Sequence, residues 1–111
     1  MTNTQVVSFD PYRTLAEASI TNAFLPVGTP FTNPVRLICI TNNTDGDMIF
    51  SVDGVNNHLF IPKGAFKLFD LNTNRRQSDQ YWTLPINTQF YVKYSTAPST
   101  GAVYIEVLWG D

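Results

Sequence analysis

The chain has 111 residues, a net charge of −2 and 14% charged residues, the size of one domain with one core. Arg75-Arg76 is its one basic pair, too little to track a phosphate backbone, so nucleic acid is not an expected partner. One cysteine excludes an internal disulfide framework, and no run approaches the roughly 18 apolar residues of a membrane span.

Residues 1–34 differ from the rest. Met1-Thr2-Asn3-Thr4 opens without a basic or apolar export region, so synthesis in a cytosol is expected. Val6-Val7-Ser8-Phe9 suits a short strand, and Asp10-Pro11-Tyr12 a turn. The helix-like stretch Thr14–Ile20 is too short to stand as a helix, and an extended segment from Ala18 to Leu25 is preferred. Pro26, Gly28, Pro30 and Pro34 then break any regular structure. This arm carries Val6, Val7, Phe9, Tyr12 and Leu15, apolar residues that need cover. They either fold back on their own domain or anchor the arm on a neighbouring copy.

Four apolar runs follow, Val35–Thr41, Met48–Asp53, His58–Ile61 and Ala65–Leu71, separated by turns at Asp45-Gly46, Asp53-Gly54 and Pro62-Lys63-Gly64. They read as a β-meander in which glycine accepts the positive φ of tight turns. Val35, Leu37, Cys39 and Thr41 share one face of the first run and Arg36, Ile38 and Ile40 the other, as in a strand covered on both sides. Cys39 reads as a buried, inert thiol. Met48, Phe50 and Val52 are expected to face inward. In the fourth run Phe66, Leu68 and Asp70 alternate with Lys67, Phe69 and Leu71, with Lys67 at an edge or toward solvent. Asn72 to Gln80 is the most polar stretch, a surface loop between sheets. Strands are expected at Tyr81–Leu84, Gln89–Tyr94 and Ala102–Trp109, the last with Val103, Ile105, Val107 and Trp109 on one face.

Seven or eight short strands with turns about every ten residues predict an all-β antiparallel sandwich of Ig-like or jelly-roll type. The sandwich domain spans 35–111, preceded by an extended N-terminal arm and Pro-rich loop over 1–34.

Catalytic chemistry finds no support. His58 has no partner at triad or ligand spacing, and one His with one Cys builds no ordinary transition-metal site. Asp45, Asp47 and Asp53 are calcium-type ligands, but their spacing fits no EF-hand and reads as turn chemistry. Glu17 and Glu106 are the only glutamates, and nothing sets them together for glycosidase chemistry. No metal or cofactor is expected. Asn42-Asn43-Thr44 matches a glycosylation sequon and is read as a turn. Sugar binding is the stronger rival, since flat aromatics serve such platforms; Trp82 and Tyr81 are the candidate contacts. Low charge with 14% aromatics also suits a surface covered by other copies.

Leu37 to Val55 joins a strand ending in an Asn-Thr turn to one ending in Ser51-Val52-Asp53-Gly54. Ile61-Pro62-Lys63-Gly64, Asp70-Leu71, Tyr91-Val92-Lys93 and the terminal Gly101–Glu106 strand follow. This pattern, over Val35 to Gly110, resembles small β-sandwich virion proteins of tailed bacteriophages. The resemblance implies a non-enzymatic structural component present in many copies on the capsid, neck or tail. Its partners would be copies of itself and other virion proteins (major capsid, portal or adaptor, tail), without nucleic acid or membrane. It would reside in the virion after synthesis in the host cytoplasm.

Overall fold

The computed structural model describes residues 7–71 and 84–110. The strands are β1 (Val7–Phe9), β2 (Arg13–Ala16), β3 (Leu25–Pro26), β4 (Val35–Thr44), β5 (Met48–Ser51), β6 (Leu59–Ile61), β7 (Phe66–Asp70), β8 (Tyr91–Tyr94) and β9 (Gly101–Gly110). They form two antiparallel sheets. The front sheet runs β1-β9-β4-β7, with β2 also on β9, and the back sheet runs β3-β8-β5-β6. The expected all-β sandwich is thus present. The pairs β2–β9, β3–β8, β4–β7 and β5–β6 nest one inside the next. The chain is one long hairpin folded over on itself, which selects the jelly roll over the Ig-like alternative.

Only β5 and β6 pair with their immediate chain neighbour among the four central runs. The expected meander is therefore corrected: β4 to β5 and β6 to β7 are corners that pass between sheets. Alternation of apolar residues marks a strand and its faces, not its partner.

The core lies between the sheets. Ile38, Ile40, Val103, Ile105 and Val107 come from the front sheet, and Met48, Phe50, Ile61 and Val92 from the back, all buried. A register shift between Val35 and Leu37 rotates Val35 inward too, so it lies with Ile38 rather than with Leu37 as simple alternation predicts. Val52 lies beyond the end of β5 and is exposed, against expectation.

Residues 7–34 are woven into this core. β1 and β2 pair with β9 of the same chain, and Ile20, Val27 and Phe31 are buried in the common core. The extended segment expected from Ala18 to Leu25 instead opens in a 3-10 turn over Glu17–Ser19 and joins a strand only at Leu25. The Pro-rich stretch is more ordered than its breakers suggest. Val27 N–H donates to Phe90 O at 2.9 Å and Phe31 N–H to Thr88 O at 2.9 Å. These donors each follow a proline, so Pro26 and Pro30 lose no ladder bond at this edge. Arg13 clamps the loop from above, donating from Nε to Thr29 O at 2.7 Å, pairing with Asp10 at 3.5 Å and lying 4.6 Å over the Phe31 ring.

The corner after β4 is held by buried Asn42. Its Nδ2 donates to Gly46 O and Ile61 O, both at 2.9 Å, and its Oδ1 accepts from Thr44 N at 3.1 Å and Thr44 Oγ1 at 2.6 Å. The sequon asparagine is thus enclosed and fully bonded, leaving no room for a glycan on the folded chain. Gly46 is needed here for space, not for positive φ: a Cβ would stand 2.2 Å from Thr96 O. At Gly101, φ +95°, a Cβ would meet Asn43 O at 1.9 Å.

Gly46→Ala should cost about 1–3 kcal/mol through overpacking. Asn42→Leu orphans two carbonyls and Thr44 and should cost about 3 kcal/mol or more. Urea denaturation of each variant against wild type measures both.

Candidate interaction surface

The front sheet has two faces, and the outer one carries several large exposed apolar side chains beside the carboxylates of Asp70 and Glu106. In the β7–β4–β9 register, Leu68 pairs with Cys39 and Cys39 with Glu106; Phe66 pairs with Thr41 and Thr41 with Tyr104. Leu37 pairs with Leu108, and Leu108 with Phe9 of β1. Because side chains alternate across a strand, all of these project away from the core. Phe9 is 78% exposed, Tyr12 62%, Phe66 63% and Leu68 56%. Tyr12 stands edge-on to Tyr104, with ring centroids 5.7 Å apart. Single exposed apolar residues are normal; a contiguous set on one sheet face marks an interaction surface.

Two shallow cavities sit on this face. One, of about 320 Å3, is lined by Tyr12, Thr41, Asn43, Tyr104 and Glu106. The other, of about 290 Å3, adjoins it beside Phe9, Leu37, Cys39 and Leu108. Glu106 borders both, the one carboxylate shared by the two troughs.

The sequence candidates divide accordingly. Phe9 and Tyr12 lie on the outer face. Leu15, opposite Val103, is half-buried against the core of its own domain. Val7 pairs through its backbone with Gly110. Val6, Tyr81 and Trp82 lie outside the described residues. Cys39 is half-buried on the outer face, its Sγ 3.8 Å from Thr41 Oγ1, rather than fully buried as expected. Trp109, expected with the core-facing residues, is half-buried at the end of β9.

The sequence pattern alone does not mark Phe66 and Leu68 as site residues. The signal was present in their alternation with Phe69, since a strand apolar on both faces is covered on both. Nothing in the sequence said which face the core would take.

The aspartates act as pins for loops. Asp45 accepts from Ser99 N at 2.7 Å, from Thr100 N at 3.2 Å and from the Ser99 hydroxyl, tying the β4–β5 corner to the β8–β9 corner. Asp53 accepts from Val55 N and Asn56 N, both at 2.8 Å, and from Ser51 Oγ. Asp47 accepts from Lys63 N at 3.0 Å. His58 Nδ1 accepts from Val52 N at 3.1 Å, a turn cap. Among the described residues, no group of three His, Cys, Asp or Glu side chains could hold a metal ion, and no helix is long and apolar enough to cross a membrane.

The chain matches no family model, no curated protein and no solved structure.

Hydrogen bonds from Ser99, first its side chain and then its backbone, lower the Asp45 carboxyl from 3.8 to about 2. A depressed carboxyl contributes stability that is complete above its unfolded value and is lost as pH falls through the folded one. The urea midpoint should therefore drop between pH 4 and pH 2, and Asp45→Asn should flatten part of that drop. Denaturation curves of both proteins at stepped pH check this; equal slopes would remove Asp45 from the account.

Proposed function

We propose that this chain is a non-enzymatic structural component of a bacteriophage particle, assembling in many copies on the capsid or in the head–tail or tail region. The observation that carries the reading is the exposed apolar outer face of the front sheet, with Phe9, Tyr12, Phe66 and Leu68 at its two flanks. Leaving such a face in water is unfavourable by about 25 cal/mol per Å2 of apolar surface, so covering it with another copy or another particle protein is a driving force for assembly. The jelly roll is a frequent brick of viral shells, and the turn motifs between Val35 and Gly110 resemble those of phage virion β-sandwiches. A fold alone assigns no function; the reading rests on the face and the motifs together.

The proposed role of the N-terminal segment is narrower than that of a free arm. Within residues 7–16 the chain lies on its own β9, and Phe9 and Tyr12 add to the outer face instead of reaching away from it. Quantitative mass spectrometry of purified particles, from the phage whose genome encodes the chain, tests the reading. The expected result is the chain at a copy number set by the particle's symmetry. Its absence from intact particles would overturn the reading.

A second reading, a carbohydrate- or receptor-binding module on the virion surface, is favoured by the 320 Å3 trough. There Tyr12 and Tyr104 offer ring surface beside the Asn43 amide, the Thr41 hydroxyl and the Glu106 carboxylate. On this reading a glycan array should show binding that Tyr12→Ala abolishes; binding that survives the substitution would move the contact elsewhere.

A further inference from the structure

We infer that the outer face of the front sheet binds a cationic partner: an arginine in an extended segment of another particle protein, seated against Glu106 beside Tyr12 and Tyr104. The inference rests on the particle reading above for the source of the partner, and it names the chemistry that the face accepts.

The register sets Glu106 in the middle of the face. It pairs with Cys39 of β4, and Tyr104 and Leu108 flank it on the same side of β9. On its other side the neighbouring strand is interrupted. β1 pairs with β9 only as far as Leu108, and β2 begins its pairing at Ile105, so no strand residue stands opposite Glu106 there. Both troughs are lined by Glu106 and Tyr12.

The carboxylate has no use inside the chain. Among the described residues, no cation pairs with Glu106 and no group donates to its side chain. Asp10, Asp45, Asp47 and Asp53 each accept a bond from their own chain. Nor does the face supply a counter-charge. Asp70 opposite Leu37 is a second carboxylate, and Lys67 pairs with Ile40, on the core side of β4. A second copy presenting the same face would bring like charge to Glu106, which is unfavourable. A partner of opposite sign is what the face complements.

The rings select arginine among cations. Tyr12 stands edge-on to Tyr104, with centroids 5.7 Å apart. A guanidinium can stack on a phenol ring while its planar fork donates to a carboxylate, which a compact ammonium does less well. Spacing favours an extended segment. Side chains two positions apart on a strand lie about 6.6 Å apart, the same interval that separates Glu106 from Leu108 on β9. With the arginine in the first trough, an apolar residue two positions away reaches Phe9, Leu37 and Leu108 in the second.

The probe is the peptide acetyl-Leu-Ser-Arg-Ser-Leu-amide, titrated into the isotope-labelled full chain and followed by NMR. The same peptide with citrulline or glutamate in place of arginine runs beside it. The variants are Glu106→Gln, Tyr12→Ala and, as a control, Glu17→Gln, which alters a glutamate in the 3-10 turn outside both troughs. Circular dichroism confirms that each variant folds. An array of overlapping peptides from the particle proteins of the encoding phage then identifies the source.

The expected result is saturable binding of the arginine peptide, with shifts centred on Tyr104, Glu106 and Leu108. Citrulline should weaken it about fivefold, as suits a solvent-exposed ion pair, and added salt should weaken it too. Glu106→Gln should erase the difference between the arginine and citrulline peptides, and Glu17→Gln should preserve it. Tyr12→Ala should cost about two- to fivefold. Array hits should carry an arginine two positions from an apolar residue. Equal binding of the arginine and citrulline peptides, or an arginine preference that survives Glu106→Gln, would overturn the inference; the particle reading is decided separately, by the chain's presence in particles. The same shifts produced by N-acetylglucosamine and not by the arginine peptide would overturn it in favour of the sugar reading. The same shifts appearing without peptide as the chain is concentrated, with mass rising in light scattering, would give the face to a second copy and overturn it as well. Arginine-peptide binding with no array hit would overturn a particle protein as the source.

Discussion

The fold turns on the buried carboxamide of Asn42. It sits at the point where β4 leaves the front sheet, and its four hydrogen bonds reach the corner that follows and the end of β6. Its backbone extends the knot, accepting from Gly64 N and donating to Ala65 O, both at 2.9 Å. One side chain thereby fixes where the chain crosses to the back sheet and where it comes back. An amide serves because it offers two donors and an acceptor at once, without a charge to bury. Asp45 and the two close-packed glycines, Gly46 and Gly101, then clamp this corner to the one before β9.

From that corner the nested pairing follows. β4 and β9, the two ten-residue strands, form the middle of the front sheet. Their inner residues are β-branched or apolar and meet the back sheet. Their outer residues, Leu37, Cys39, Thr41, Tyr104, Glu106 and Leu108, are intermediate in character, and the flanking strands add aromatics and leucine. The sheet therefore carries large apolar residues on both sides, while among the described residues only one side is covered by the chain itself. A contiguous set of exposed apolar residues of this kind is what interaction surfaces present.

Individual turn residues were legible for the wrong reason in places. Asp45-Gly46 marked a turn correctly, but the turn is an inter-sheet corner whose glycine is demanded by Thr96 O rather than by φ. Asp45, Asp47 and Asp53 are the turn aspartates that the sequence predicts, yet only the tertiary structure brings Asp45 to Ser99, 54 positions along the chain. Arg13 gave no sequence signal at all: a lone arginine in a polar-apolar stretch looks like any surface charge until Phe31 and Thr29 come beneath it.

The all-β class, the four central strands and the core face of β9 were determined by the sequence, because period-two alternation and turn chemistry are local properties of the chain. The tertiary structure alone decided the rest. It chose jelly roll over Ig-like order, laid residues 7–16 on β9, and rotated Val35 inward through a bulge. Above all it left Phe66 and Leu68 outside rather than in. These outcomes depend on which strands become neighbours, and strand pairing is set by long-range packing that no local pattern encodes.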